Sequence, residues 1–314
     1  MNPLPLPASR RWRFRLRLAG DCLLPAFPGP ELRGMVGQGL RRAFCVDRPG
    51  DGAHCTACPP AVEDRCPYTR LFAPRASGLD GAGEPARPFA LDAGGPAAAP
   101  QRLRAGDGID LALTLIGPTA ACGEAYGRAL AEAGRAPLLG RGRRAGFAVE
   151  TVGAEDVEHD DWLAARLAAL AGAGRLRLRL VGPLALRQSQ RVLGGFDLDA
   201  FLAHALARLE RLAALAPAAG GAAPLLLSPP ELPARAVHVE QVATRRVAFP
   251  RRGRGGSVQP MEGIVGEAVL AGSLAPLLPL LAAAERFQVG RWTSFGFGAL
   301  ALAAGAPAGA AATP

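Results

Sequence analysis

The chain has 314 residues, of which 49% are hydrophobic, and its 36 basic and 27 acidic side chains leave a net charge of +9. This is enough apolar material to bury the cores of about two domains, which excludes a disordered or low-complexity protein, and the excess of positive charge points to a polyanionic partner. The most apolar run, 274–284, is too short to span a bilayer and contains Pro276 and Pro279, and the opening residues hold no stretch of signal-peptide length, so a cytoplasmic protein with no membrane partner is expected.

Residues 11–18 alternate strictly, with Trp12, Phe14, Leu16 and Leu18 on one face and Arg11, Arg13, Arg15 and Arg17 on the other, which predicts a half-buried strand. Four arginines on one face repel unless something screens them, so this face is either a phosphate contact or a solvated edge. Pro28-Gly-Pro30 breaks the chain before a helix over 31–44, whose Leu32, Met35 or Val36, Leu40 and Phe44 fall at core spacing while Arg33, Arg41 and Arg42 project elsewhere. Cys45, Cys55, Cys58 and Cys66 follow at once. In a reducing compartment, four clustered thiols in a loop rich in Pro, Asp and Gly read as a closed structural zinc site or as reduced structural cysteines. Cys22 and Cys122 lie in apolar contexts and read as small core residues.

From 74 to 108 the sequence has little periodicity and reads as loop with one short strand near 88–91. A strand over 109–116, a helix over 119–133 and a strand over 146–152 complete a β-α-β-β-α-β order. The basic loop Gly140-Arg-Gly-Arg-Arg144 seeks phosphate or is a solvated turn. After a connecting helix over 161–171 the order repeats as strand 175–181, helix 197–215, strands 236–249 and 263–271, helix 273–285 and strand 294–303. The first strand of this second round again alternates Arg175, Arg177 and Arg179 with leucines. The expected fold class is α+β: tandem ferredoxin-like (RRM-like) domains over 1–155 and 172–303, a small cysteine-rich zinc loop over 45–66, and a disordered tail over 304–314. Two arginine-studded first strands predict a shared basic cleft, and Arg245, Arg246, Arg251, Arg252 and Arg254 mark a basic hairpin in the second domain.

Near the C-terminus, Gly290-Arg-Trp-Thr-Ser-Phe-Gly-Phe-Gly298 interleaves Gly290, Gly296 and Gly298 with large aromatics. It reads either as a tight apolar turn or as a loop whose N–H groups, beside Arg291, receive a phosphate-bearing ligand.

This stretch resembles the C-terminal glycine-rich loop of the CRISPR-associated RAMP proteins, in particular the endoribonucleases that process precursor CRISPR RNA. Ser257-Val-Gln259-Pro-Met-Glu-Gly263-Ile-Val-Gly266 is similar to the segment that precedes that loop in the family. The run from Pro30 through Arg33 and Gly34 to Phe44 resembles the family's first helix, and Cys66-Pro-Tyr68-Thr-Arg-Leu71-Phe72 matches the segment after it. These pieces keep one order along nearly the whole chain. The resemblance implies a partner in CRISPR repeat RNA. Its expected contacts are Arg33, the hairpin arginines 245, 246, 251, 252 and 254, and Ser257, Gln259, Gly290, Arg291, Ser294, Gly296 and Gly298.

The resemblance further implies metal-independent cleavage, in which the 2′-hydroxyl beside the scissile phosphate attacks it. Many members of the family place a histidine on or just after the first helix. Here the nearest is His54, so the expected catalytic groups are His54 as proton acceptor with Arg41 and Arg42 as stabilisers of phosphorane charge. His159, His204 and His238 read as structural. No paired carboxylates suggest a metal-dependent nuclease, so structural zinc is the one expected cofactor and no catalytic metal is expected. The alternatives are a catalytically silent repeat-binding subunit of an effector complex and a zinc-bearing interaction module with no RNA role.

Overall fold

The computed structural model describes residues 4–45, 66–74, 86–155, 159–189, 191–213, 215, 225–227, 236–252 and 258–305. The chain divides into two compact units, one of Pro7–Asp156 with Leu215–Gly220 and one of Met1–Leu6, Val157–Ala214 and Gly221–Pro314.

In the first unit the alternating stretch forms β1 (Ser9–Leu18), followed by α1 (Gly29–Phe44), a short α2 (Pro67–Leu71), β2 (Phe89–Asp92), β3 (Gly108–Ile116), α3 (Gly123–Gly134) and β4 (Phe147–Ala154). The four strands pair antiparallel in the order β2-β3-β1-β4, the arrangement a β-α-β-β-α-β chain adopts when both helices cover one face of the sheet. Trp12, Phe14, Leu16 and Leu18 share one buried cluster with Leu32, Met35, Val36 and Leu40 of α1 and with Tyr126, Ala129, Leu130 and Ala133 of α3. The period-2 pattern of β1 and the 3.6-residue pattern of α1 thus meet in a single core.

The second unit repeats the plan with α4 (His159–Leu170), β5 (Arg175–Leu184), α5 (Leu198–Ala213), β6 (Val237–Arg252), β7 (Val258–Gly272), α6 (Leu278–Phe287) and β8 (Leu300–Ala304). Its sheet runs β6-β7-β5-β8, again antiparallel. Leu176 and Leu178 of β5, Phe201 and Leu209 of α5 and Leu280 and Leu281 of α6 are fully buried. Leu4–Leu6 joins this unit by pairing antiparallel with Leu225–Leu227, a partnership that no periodicity in so short a segment announces.

Several boundaries differ from the sequence reading. The expected helix start at 119 is instead a 3-10 turn over Gly117–Thr119. The Thr119 hydroxyl donates to the Pro88 carbonyl at 2.8 Å and accepts from the Ile116 N–H at 3.1 Å, which holds that turn out of the helix. The last strand begins at Leu300 and not at 294, because Gly296 and Gly298 hold φ of +86° and +75°, outside the extended region a strand requires. The stretch taken for loop supplies Gln101–Leu103, which pairs with Cys22–Leu24. The expected tail lies outside the described residues beyond Gly305, and so does the expected zinc loop from 46 to 65. Among the described residues no helix is long and apolar enough to cross a membrane.

Candidate nucleic-acid interface

The arginine ladder of β1 is paired with the unit's own carboxylates. Arg11 binds Asp92 of β2 and approaches Glu155 at 3.4 Å, Arg13 donates to Glu155 at 3.3 Å, Arg15 binds Asp110 of β3, and Arg17 binds Glu150 of β4. The acids come from β2, from the two flanking strands β3 and β4, and from the residue after β4, so the repulsion that suggested a phosphate contact is relieved within the fold. The face is charge-balanced, and its shallow hollow of about 600 Å³ is lined by both signs.

The last turn of α1 carries Arg41, half-buried, and Arg42, exposed. Arg33, Gly37 and Arg41 stand four residues apart on one stripe of the helix. Phe72 covers the middle of that stripe, and the Arg33 guanidinium lies over its ring at 4.6 Å. The Tyr126 hydroxyl donates to the Leu71 carbonyl at 2.5 Å, which fixes the end of α2 to α3. Cys45 closes α1, while Cys66, at the start of α2, is buried. His54, Cys55 and Cys58 lie outside the described residues, so the structure brings Arg41 and Arg42 together and leaves their expected partners unplaced. Among the described residues no three side chains of the kind that bind metals are grouped.

The second unit is different. Arg175 binds Glu240, but Arg177 and Arg179 of β5 are exposed and have no ion-pair partner among the described residues. The same holds for Arg187 and Arg191, which stand on the two-residue ribbon Arg187–Gln188 paired with Arg191–Val192, and for Arg245 of β6. Among the described residues Arg246 has only a long ion-pair contact of 3.4 Å, with Glu262. The β6–β7 ladder continues beyond the expected strand ends at 249 and 263 to the pair Arg252 and Val258, which sets Arg251 opposite the exposed Gln259. Arg254 and Ser257 lie outside the described residues.

The glycine-rich stretch packs inward on the end of β5. A Cβ at Gly298 would lie 1.9 Å from the Val289 carbonyl oxygen, and one at Gly290 would lie 2.6 Å from that of Ala185. Backbone donors are consumed within the chain: Arg291 N–H reaches the Ala185 carbonyl at 3.1 Å, Gly296 N–H that of Thr293 at 3.1 Å, and Gly298 N–H that of Pro183 at 2.8 Å. The glycines therefore serve close approach of backbone to backbone, as in the tight-turn reading. Ser294 is buried, and only Arg291 and Trp292 of the stretch from 288 to 300 keep partial exposure.

A family model described as an N-terminal domain matches residues 6–176, and the model of the CRISPR-associated endoribonuclease Cas6 matches residues 178–300. The chain belongs to the Cas6 type of CRISPR-associated RAMP proteins. No curated protein matches it in sequence. A Cas6 product complex shares the fold with a TM-score of 0.54 and 18% identity, over 93% of this chain and 98% of that one. Thermus thermophilus Cas6 does so with a TM-score of 0.51 and 16% identity, over 94% and 98%. The product of a Cas6-related gene from Pyrococcus furiosus gives 0.50 and 12%, over 94% and 98%.

In this Cas6-type chain the arginines that sequence reading overlooked are Arg187 and Arg191. Their ribbon is too short for any period to show, and the available signal was the polar run Arg187-Gln-Ser-Gln-Arg191 directly after a buried strand end.

Proposed function

We propose that this Cas6-type chain binds CRISPR repeat RNA and cleaves precursor crRNA without a catalytic metal. The observation that carries the reading is the uneven pairing of arginines. The first unit neutralises its ladder with its own acids, whereas the second leaves Arg177, Arg179, Arg187, Arg191 and Arg245 exposed and with no ion pair among the described residues, Arg179 facing Glu267 across the β5–β7 ladder without bonding it, and exposed guanidinium groups suit a phosphate backbone. Arg251, Arg291 and Gln259 extend that contact set, and Arg252, at the end of β6, with Arg254 and Ser257, in the sequence that links β6 to β7, are proposed to join it.

In the reaction the 2′-oxygen forms a bond to phosphorus as the bond to the 5′-oxygen breaks. The 2′-hydroxyl proton leaves to a base, the 5′-oxygen gains a proton, and the ends are a 2′,3′-cyclic phosphate and a 5′-hydroxyl. Arg41 and Arg42 would stabilise the phosphorane, since guanidinium stays protonated and supplies charge rather than accepting a proton. His54 would take the proton. Incubating the purified protein with repeat RNA in EDTA tests the reading, which predicts cleavage with those ends; intact RNA would refute it.

A second reading, a silent repeat-binding subunit of an effector complex, is favoured by α1 carrying no histidine along its whole length. Tight binding without cleavage in the same experiment selects it. Cys45, Cys55, Cys58 and Cys66 are proposed to hold one structural zinc ion. Support comes from the four thiols falling between the end of α1 and the start of α2, where the intervening sequence is poor in core-forming residues.

A further inference from the structure

Trp292 holds φ of +62° and ψ of +29°, a left-handed backbone that glycine or asparagine adopts freely and that bulky side chains rarely tolerate. Gly296 of the same stretch takes a left-handed conformation, with φ of +86° and ψ of +9°, and Gly290 has a positive φ of +83°, at no such cost. What a tryptophan supplies here that a relaxed glycine would not is its ring, and the neighbours fix where that ring stands. Phe297 meets it edge-on, at a centroid distance of 5.4 Å and 76° between planes. The Arg291 guanidinium lies over its face, 5.1 Å from the centroid. One turn on, Arg251 lies 4.8 Å over the ring of Phe295. Phe295 is bound to the same turn through its N–H on the Trp292 carbonyl at 2.7 Å. The rest of the stretch is buried, and Trp292 and Arg291 are the residues of it that keep partial exposure.

We infer that Trp292 is a base-stacking platform, on which one unpaired nucleobase of the RNA takes the place of the Arg291 guanidinium over the ring while Arg251 and the displaced Arg291 hold the adjoining phosphates. The inference rests on the RNA-binding reading and makes it more specific, by placing recognition on side chains of this turn and not on its glycine amides. A rigid aromatic face suits a base of any identity, and the flanking guanidinium adds cation–π and charge contacts. Chain strain is part of the device. Held in this backbone by packing against Phe297, the ring needs no ordering when the base arrives.

The test uses the full chain and the repeat RNA of the CRISPR array in its source genome, substituted with 2-aminopurine at one unpaired position at a time and with a 2′-deoxy residue at the cut site. Trp292→Asn accepts the left-handed backbone and removes the platform, while Trp292→Phe keeps a ring. The parent should quench 2-aminopurine at one position. Trp292→Asn should lose that quench and about five- to 150-fold in affinity, which is what stacking of one base is worth, with its melting temperature unchanged or raised by release of strain. Trp292→Phe should recover most of both. If the parent binds the repeat tightly and Trp292→Asn binds equally well with the same quench, the platform is wrong and the RNA-binding reading stands. If the parent binds no repeat RNA, both fall together.

Discussion

The ring of Phe72 fills the space that a side chain at position 37 would need. A Cβ added to Gly37 would lie 2.7 Å from its Cε1 and Cζ atoms, so the glycine lets the aromatic lie directly on α1 between Arg33 and Arg41. Gly37→Leu is expected to displace Phe72 and destabilise the protein by about 1–3 kcal/mol through overpacking. Gly34→Ala, one turn earlier and with nothing within 4 Å, should stabilise it by roughly 0.5–1 kcal/mol from helix propensity. Urea denaturation of both variants checks the pair, and equal effects would refute the packing argument.

The ladder of β1 and the exposed arginines of the second unit should separate in a salt titration of RNA binding. Replacing Arg13, Arg15 and Arg17 by glutamine removes surface pairs worth about 0.2–1 kcal/mol each and should leave the dependence of affinity on salt unchanged. Replacing Arg177, Arg179, Arg187 and Arg191 should lower the slope of log K against log salt by about two to three units, at roughly 0.7 per phosphate contact on single strands. The reverse result would move the RNA to the first unit's sheet.

Chemistry is tested at the end of α1. Arg41→Ala/Arg42→Ala should slow single-turnover cleavage by at least about 100-fold, typical of lost transition-state charge stabilisation, with much less effect on repeat affinity. If His54 is the base, His54→Ala should cost a comparable factor, and the parental rate should rise through about pH 6 to 7. A small loss and a flat profile would leave an arginine-only site, and parental rates in both variants would place the active site elsewhere.

Metal content gives an independent reading of the cysteines. Protein purified without chelator should contain one zinc per chain by elemental analysis, and Cys55→Ser/Cys58→Ser should lose both the metal and thermal stability. A chain free of zinc that keeps its melting temperature in that variant would make the thiols ordinary reduced cysteines.

Arg208 of α5 is 5% exposed, its Nη2 has no hydrogen-bond partner among the described residues, and its Nε reaches the Phe287 carbonyl only at 3.5 Å. Burial, together with repulsion from Arg211, lowers its pKa to about 9. The folded state therefore binds fewer protons than the unfolded chain above that pH, so this group makes stability rise as the pH climbs past about 9, and below it the buried charge is a cost. Arg208→Met should be as stable as the parent or more so at pH 7, and the difference between the two should shrink from pH 9 to 11. A loss of several kcal/mol at pH 7 would show that the guanidinium has a partner outside the described residues.

The repeated β-α-β-β-α-β order was legible because Trp12, Phe14, Leu16 and Leu176, Leu178, Leu180 state their faces by position alone. The fate of the arginines between them was not. Whether Arg15 meets a phosphate or Asp110 depends on strand register, which pairs residues 95 apart in the chain and leaves no local trace. The glycine-rich stretch failed for a related reason. Its composition shows that backbone comes close, but not whose, and here the near backbone is that of Val289, Pro183 and Ala185. Arg187 and Arg191 escaped because a two-residue ribbon has no period.

β6 is the outer strand of its sheet, paired on one side only among the described residues, for sixteen residues with Val242 exposed. A free edge of that length invites a second copy to add to it, and what discourages that here is Arg245, Arg246, Pro250 and Arg251. Two of the groups proposed to meet RNA, Arg245 and Arg251, are thus also among those that discourage edge-to-edge pairing. Removing them, or neutralising them with bound nucleic acid at high protein concentration, takes away both roles at once. Weak binding by an alanine variant of this strand means loss of recognition only when light scattering shows that the variant is still monodisperse.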